Sequence, residues 1–143
     1  MSVLDDLIDE KRIERVVPDR ARAETKLDEA ERHLESSRAV AANDPEDAYA
    51  LLYDAARKAV DAHMAANGLR VSKSRPAAHE TTALYAAEVI GGAYEADGKA
   101  LNRMRKQRNR AEYGSWHISA ARLKKDHAHA AGIVEAIRRE LAL

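Results

Sequence analysis

One segment, residues 46–67, constrains the fold of this chain more than any other. Its apolar residues fall on nearly every side of a helix: Ala48, Tyr49, Leu51, Leu52, Tyr53, Ala55, Ala56, Ala59, Val60, Ala62 and Met64. A helix that is apolar all round must be covered by other elements. Asn43-Asp44-Pro45 supplies a start signal before it, and Gly68 supplies a C-terminal cap. The segment is therefore predicted to be the central helix, from Glu46 to Asn67.

The remaining segments are predicted to cover this helix. Apolar residues recur at steps of three and four positions, which indicates amphipathic helices. The predicted helices are Val3 to Val16, Pro18 or Asp19 to about Ala42, His79 to Ile90, Lys99 to Tyr113 and Ser119 to Leu141, with an irregular basic loop over Leu69 to Pro76 and a weakly helical piece around Tyr94.

Composition agrees with a helical fold, because alanine is abundant and phenylalanine is absent. Strands favour aromatic and β-branched residues, whereas small residues suit closely packed helices. At 143 residues the chain fits one domain. We predict an all-α fold, an up-and-down bundle of five to six helices in a single domain 1–143. Its core spans about 19–141, and residues 1–17 form a short N-terminal helix.

Charge and cysteine content exclude several classes of protein. The 24 basic and 24 acidic residues balance, which argues against a strongly basic protein that coats nucleic acid. The absence of cysteine excludes disulfides and thiolate metal sites. The charged segment Ser2 to Arg15 does not resemble a signal peptide, and no apolar run reaches the length of a membrane span. We expect a cytoplasmic protein without membrane contact.

Metal and cofactor sites are not predicted. His127 and His129 are two positions apart and point to different sides of a helix, and the chain lacks a His-Glu-x-x-His motif. Gly91-Gly92 lacks the spacing and the lysine of a phosphate-binding loop. Tyr49 and Tyr53 repeat at helical spacing, which is typical of an aromatic core stripe.

The charged residues are segregated in one place. Positions 99–110 hold six cationic side chains and no carboxylate. Arg108 falls in line with Leu101, Met104 and Ala111, so it should face the interior and need a partner. Asp54 or Asp61 on the central helix could be that partner.

The other cations of this basic helix, Arg103, Lys106 and Arg110, are predicted to face solvent. Guanidinium forks and ammonium groups on one face can hold phosphates of nucleic acid or nucleotides. The alternative interpretation is a solvated face that contributes solubility alone.

The order Arg108-Asn109-Arg110-Ala111-Glu112-Tyr113 resembles the motif of the HEPN superfamily, in which an Arg, a polar residue and a His close the motif on the penultimate helix. The Ala-rich stretch Tyr53 to Leu69, the basic loop with His79 and the amphipathic Ile133 to Ile137 stretch are similar to the remainder of such a domain. The resemblance covers about Asp19 to Leu141. It implies a homodimer, and active members of the superfamily are metal-independent RNases whose two motifs meet across the interface.

The resemblance also implies roles for individual residues. Arg108 would bind phosphate and Asn109 would support it, while Tyr113 occupies the position of the family's His. A tyrosine with an ordinary pKa of about 10 is a poor general base at neutral pH. His117 could replace it by pairing with Arg110, although a nonpolar residue then follows the Arg.

Three hypotheses about function follow. The first is a non-catalytic or weakly catalytic HEPN-like domain that binds RNA or a nucleotide through the basic helix. The second is a metal-independent endoribonuclease of toxin-antitoxin or defence type that uses Arg108, Asn109 and His117. The third is an interaction module for an acidic protein partner, such as a cognate antitoxin-like protein.

Overall fold

The computed structural model describes residues 2–74, 76–113 and 117–143, with the backbone alone for residues 111–113. The described part of the chain forms six α-helices and two short strands: α1 Val3–Asp9, β1 Ile13–Arg15, α2 Arg20–Val40, α3 Pro45–Ala66, β2 Leu69–Val71, α4 Ala78–Val89, α5 Glu95–Tyr113 and α6 Ala120–Leu141. A 3₁₀ turn, Gly92–Tyr94, precedes α5. The prediction of an all-α helical bundle is confirmed.

Helix α3 is the centre of the bundle, as its apolar surface predicts. It packs against α2, α4, α5 and α6, and Tyr49, Leu52 and Val60 are fully buried. Asp44 caps its start by accepting a hydrogen bond from the Asp47 backbone N–H at 3.1 Å. Gly68 follows the end of α3 and has a φ of +71°. A Cβ at this position would lie 2.8 Å from the backbone carbonyl oxygen of Val16. Only glycine fits that turn without strain.

The N-terminal helix is shorter than predicted, and the basic loop is partly regular. Helix α1 ends at Asp9, and the chain then forms β1, which pairs antiparallel with β2. Glu14 lies opposite Arg70, and the two side chains form an ion pair at 2.9 Å. Predicting helix to Val16 and an irregular Leu69 to Pro76 was therefore wrong. Three-residue strands are too short for their periodicity to be recognised in a sequence.

Helix α5 also begins earlier than predicted, at Glu95 instead of Lys99. It runs through Gly98, the residue just before the predicted start. A Cβ at Gly98 would lie 2.8 Å from the Ile90 Cβ. The glycine thus allows close packing of α5 against the end of α4 and does not interrupt the helix. Within the described ranges, helices long and apolar enough to cross a membrane are absent.

Candidate phosphate-binding site

Helix α5 directs its cations to two different surroundings. On one side, Arg103 donates two hydrogen bonds to Asp126 of α6, at 3.0 Å to Oδ2 and 2.7 Å to Oδ1. Asp126 is fully buried, and the Tyr49 hydroxyl donates to it at 2.7 Å. Assigning Arg103 to the free, solvent-facing cations needs correction, because its guanidinium is held by a buried carboxylate.

The electrostatics of this network agree with a structural role. Burial alone would raise the pKa of Asp126, but hydrogen bonds from Arg103 and Tyr49 and the nearby charges of Arg103 and Arg122 outweigh it, so the pKa is lowered. Burial, together with the hydrogen bond to Asp126, raises the pKa of the Tyr49 phenol. Asp126 therefore stays ionised and Tyr49 stays protonated, which is the pairing that each needs.

On another side of α5, Arg105 and Arg108 face α3 and α4. Leu101 and Met104 are buried as the helical spacing predicts, and Arg108, which follows Met104 by four positions, is partly buried. The Arg105 Nε donates to Asn102 Oδ1 at 3.0 Å, and its Nη2 lies 3.9 Å from Glu80 Oε2. The side chain of Arg105 is 18% exposed.

Arg57 of α3 joins these two arginines. Its Nη1 donates to Asp61 Oδ2 at 3.1 Å, and its Nε lies 3.8 Å from Asp54 Oδ1. The two carboxylates proposed as partners of Arg108 thus lie beside Arg57, and a pairing with Arg108 stays a prediction. Within the described residues, the buried Arg57 Nε has no hydrogen-bond acceptor. A buried donor without a hydrogen-bond acceptor costs free energy, which the Asp54 carboxylate at 3.8 Å offsets in part.

Tyr53 and His79 mark where the three arginines converge. Their ring centroids are 5.8 Å apart, with Tyr53 buried on α3 and His79 exposed in the first turn of α4. Burial raises the pKa of Tyr53 to about 12, against the opposing charges of Arg57, Arg105 and Arg108. We call Arg57, Arg105, Arg108 and His79 the cationic cluster.

Burial lowers the pKa of His79, and the positive charges of Arg57, Arg108 and Arg105 lower it further, against the opposing charge of Asp54. The imidazole is therefore held in its neutral form to a lower pH than an ordinary histidine. A neutral ring among arginines can accept a proton or a hydrogen bond, and its exposed face can stack on a nucleobase.

The start of α4 frames the cluster. Ala77 adopts a φ of +59° before the helix and provides no side-chain cap. Glu80 in the first turn accepts a hydrogen bond from Arg12 Nη2 at 3.2 Å, and Arg12 Nε donates to Thr81 Oγ1 at 3.0 Å. Because Glu80 is bound by Arg12, it neutralises Arg105 only in part, at the longer distance of 3.9 Å.

The other predicted site residues are dispersed. Lys106 and Arg110 are exposed on α5, and Asn109 is partly buried. His117 is 88% exposed and its Nδ1 lies 3.3 Å from Glu46 Oε1 at the start of α3. Tyr53 is seven residues further along α3, which is about 10 Å of helix rise. His117 is thus near the first turn of α3, whereas His79 is beside the cationic cluster. The side chain of Tyr113 lies outside the described residues.

His127 and His129 have different neighbours, which confirms that they point to different sides of α6. The His127 Nε2 lies 3.1 Å from the Leu34 carbonyl oxygen of α2, and the His129 Nδ1 lies 2.8 Å from Asp97 Oδ1 of α5. In the part of the chain that the structure describes, groups of three or more His, Asp or Glu residues that could hold a metal ion are absent.

Sequence reasoning missed two members of the cluster. It interpreted Tyr53 as part of a core stripe, which its burial confirms, but it gave no role to Arg57 or His79. One signal was available: Arg57 follows Tyr53 by four positions on α3, so both lie on one face of that helix. The place of His79 depends on how α4 packs, which spacing alone does not indicate.

Comparison of the chain with protein-family models, with curated proteins and with solved structures found no match.

Proposed function

We propose that this helical bundle is a HEPN-like domain that binds RNA by its phosphates at the cationic cluster, without efficient catalysis. The observation that carries the proposal is that Arg57, Arg105 and Arg108 surround the Tyr53–His79 ring pair, while the Nη2 of Arg105 lies 3.9 Å from the Glu80 carboxylate. Guanidinium groups bind phosphate oxygens by parallel, charge-assisted hydrogen bonds. A phosphate at the cluster would accept hydrogen bonds from the α5 guanidinium groups and relieve the repulsion among the arginines.

The carboxylates near the cluster compensate its cations unequally. Asp54 and Asp61 lie beside Arg57 and offset its charge, and Glu80 is bound mainly by Arg12. Among the described residues, the carboxylate nearest to Arg105 is Glu80 at 3.9 Å, so part of the charge of Arg105 is available to a ligand. The exposed Lys106 and Arg110 on the same helix would extend the contact along an RNA backbone. A free nucleotide offers the same phosphate chemistry but fewer phosphates to contact.

One observation favours the RNase hypothesis as a second candidate. His79 has a lowered pKa beside arginines, so it is neutral at neutral pH, as a general base must be. In such a reaction His79 would take the proton of an RNA 2′-hydroxyl, whose oxygen attacks the adjacent phosphorus. The bond between the phosphorus and the 5′-oxygen breaks, and that oxygen takes a proton from water as it leaves, while a 2′,3′-cyclic phosphate remains on the other fragment. Arginines would stabilise the charge on the phosphoryl oxygens.

Fluorescence anisotropy with a labelled single-stranded RNA, in EDTA, tests the proposal. Arg105→Ala and Arg108→Ala should each weaken binding by about 10-fold or more, since a charge-assisted hydrogen bond contributes roughly 1.5–3 kcal/mol. Lys99→Ala is the matched control, because Lys99 is exposed on α5 and pairs with Glu95 outside the cluster. It should bind like the wild type.

Four outcomes separate the hypotheses. Equal weakening in Lys99→Ala and the cluster variants would contradict a defined site. Competition by a mononucleotide as effective as competition by RNA would assign the site to nucleotides. RNA cleavage that is lost in His79→Ala would establish the endoribonuclease. Absence of RNA and nucleotide binding, with capture of an acidic protein, would support the interaction module.

A further inference from the structure

A groove of about 880 Å³ lies between the first two-thirds of α6 and the last turn of α2 with the residues that lead into α3. Its lining is mostly small and apolar, with Ala41, Ala42, Ala120, Ala128, Ala131 and Gly132. Arg38, Lys124 and Glu135 contribute the charges. None of the residues of the cationic cluster lines this groove, so it is a separate surface of the described structure.

The α6 residues in the groove follow one face of the helix. Ala120, Lys124 and Ala128 are four positions apart, and Ala131 and Glu135 continue the stripe at steps of three and four. Small side chains along a helix allow a second helix to approach closely and bury apolar surface. The charges stand near the two ends of the stripe, with the cation at one end and the anion at the other.

This arrangement is complementary to itself in one orientation. When two copies of α6 pack antiparallel about a twofold axis with Ala128 opposite Ala131, Lys124 of each copy lies opposite Glu135 of the other copy. Both pairings belong to one antiparallel register, because Lys124 precedes Ala128 by four positions and Glu135 follows Ala131 by four positions. A twofold interface repeats every contact, so two ion pairs would flank a centre of alanines.

Within one copy of the chain, the contacts of Lys124 and Glu135 leave both side chains able to pair with a second copy. Among the described residues, Lys124 has no carboxylate within ion-pair distance. Glu135 accepts hydrogen bonds from Arg139 at 3.1 and 3.2 Å, in an exposed pair one turn apart. Such exposed pairs contribute little free energy, so Glu135 can be shared with a second cation.

We infer that the α2–α6 groove is an interface between two copies of this chain, packed through α6 in antiparallel register. Charge complementarity favours a second copy over an unrelated helix, because the stripe supplies both members of each ion pair. The resemblance implied dimerisation through the motif on α5. The groove instead assigns dimerisation to α6 and leaves the cationic cluster of each copy outside the interface.

Light scattering after size-exclusion chromatography, applied to a series of charge-swap variants, measures the oligomeric state and tests this inference. The wild type should have twice the chain mass of 15.8 kDa at micromolar concentration. Lys124→Glu places two carboxylates opposite each other and Glu135→Lys places two ammonium groups opposite each other, so each should weaken dimerisation by at least 10-fold. The double variant should recover the wild-type dimer. Ala128→Arg, which fills the centre, should be a monomer with unchanged helical circular dichroism.

Lys99→Glu is the control, since Lys99 is exposed on α5 away from the groove, and it should remain a dimer. A monomeric wild type would overturn the inference. A dimer that is insensitive to the single charge variants would place the interface elsewhere, and failure of the double variant to recover would exclude this register. None of these outcomes depends on RNA binding, so the inference and the proposed function can fail separately.

Discussion

Two arginines on one helix show how differently the same residue type is used. Arg103 and Arg105 are two positions apart on α5 and point to different helices. Arg103 meets the buried carboxylate of Asp126 on α6, which binds it with two hydrogen bonds at 3.0 and 2.7 Å. Arg105 lies near Tyr53, where Arg57 and Arg108 also act, and its Nη2 is 3.9 Å from Glu80. The neighbouring helix, and not the helix that carries the arginines, decides which one is structural and which one is available.

We call the side of α5 where Arg103 meets Asp126 the closed side, and the side that carries Arg105 and Arg108 the open side. The largest expected effect is on the closed side. Asp126→Ala would leave the Arg103 guanidinium without its buried acceptor, while the Tyr49 hydroxyl keeps Gln107 Oε1 as an acceptor at 2.9 Å. Removing one partner from a buried ionic network costs about 3–5 kcal/mol of unfolding free energy. Urea denaturation measures that cost. Glu95→Ala, which removes an exposed pair with Lys99, should cost less than about 0.5 kcal/mol. A loss below about 1 kcal/mol in Asp126→Ala would show that the network is not a stabilising element.

The comparison of the two arginines is tested directly by a pair of substitutions. Arg103→Ala leaves the buried Asp126 carboxylate with the Tyr49 hydroxyl and the more distant Arg122, and should cost about 3 kcal/mol in stability. Arg105→Ala loses the hydrogen bond to Asn102 and the loose contact with Glu80, and should cost about 1 kcal/mol. RNA affinity, measured on the folded protein, should change in the opposite order, with the greater loss in Arg105→Ala. If Arg103→Ala lost more of both stability and RNA affinity than Arg105→Ala, the two sides of α5 would not differ in function.

The acid dependence of stability should also originate on the closed side. The pKa of Asp126 is lowered in the folded state, whereas an unfolded aspartate has a pKa of about 3.9. Its stabilising contribution is thus complete above that unfolded value and is lost as the pH falls through the lower, folded value. Asp126→Asn should therefore flatten the acid side of the profile of unfolding free energy against pH. Parallel acid profiles for this variant and the wild type would assign the effect to other carboxylates.

The two sides of α5 were unequally predictable from the sequence. The helical bundle, the central α3 and the seam of Leu101, Met104 and Arg108 followed from periodicity, because burial imposes a period of 3.6 on apolar residues. The partner of Arg103 did not, since Asp126 is 23 residues further along the chain and one charged residue among many on α6. Arg57 and His79 likewise come together only through packing. Side-chain partners between helices depend on rotation and register, which local spacing does not encode.

The smallest expected effect is on the open side, where the pH dependence of RNA affinity should depend on His79. Its pKa is lowered by burial and by the neighbouring arginines, so in the free protein it is neutral near pH 7. A bound phosphate favours the imidazolium, so the pKa is higher in the complex and binding takes up a proton. Affinity should therefore rise as the pH falls from above the pKa of the complex towards that of the free protein. We expect an increase of about 3-fold to 10-fold, since one pKa unit corresponds to about 1.4 kcal/mol.

Anisotropy titrations between about pH 7.5 and 5.5 measure this rise, in a range where an ordinary histidine with a pKa of about 6.5 titrates. His79→Gln keeps a polar side chain that does not titrate, and it should bind with an affinity that hardly changes with pH. His117→Gln is the matched control, because His117 is exposed beside Glu46 and away from the cluster, and it should follow the wild-type curve. If the His117 variant is flat and the His79 variant is not, the phosphate lies near the first turn of α3. The arginines around Tyr53 would then not be the phosphate-binding site, and the proposed function of the open side of α5 would be wrong.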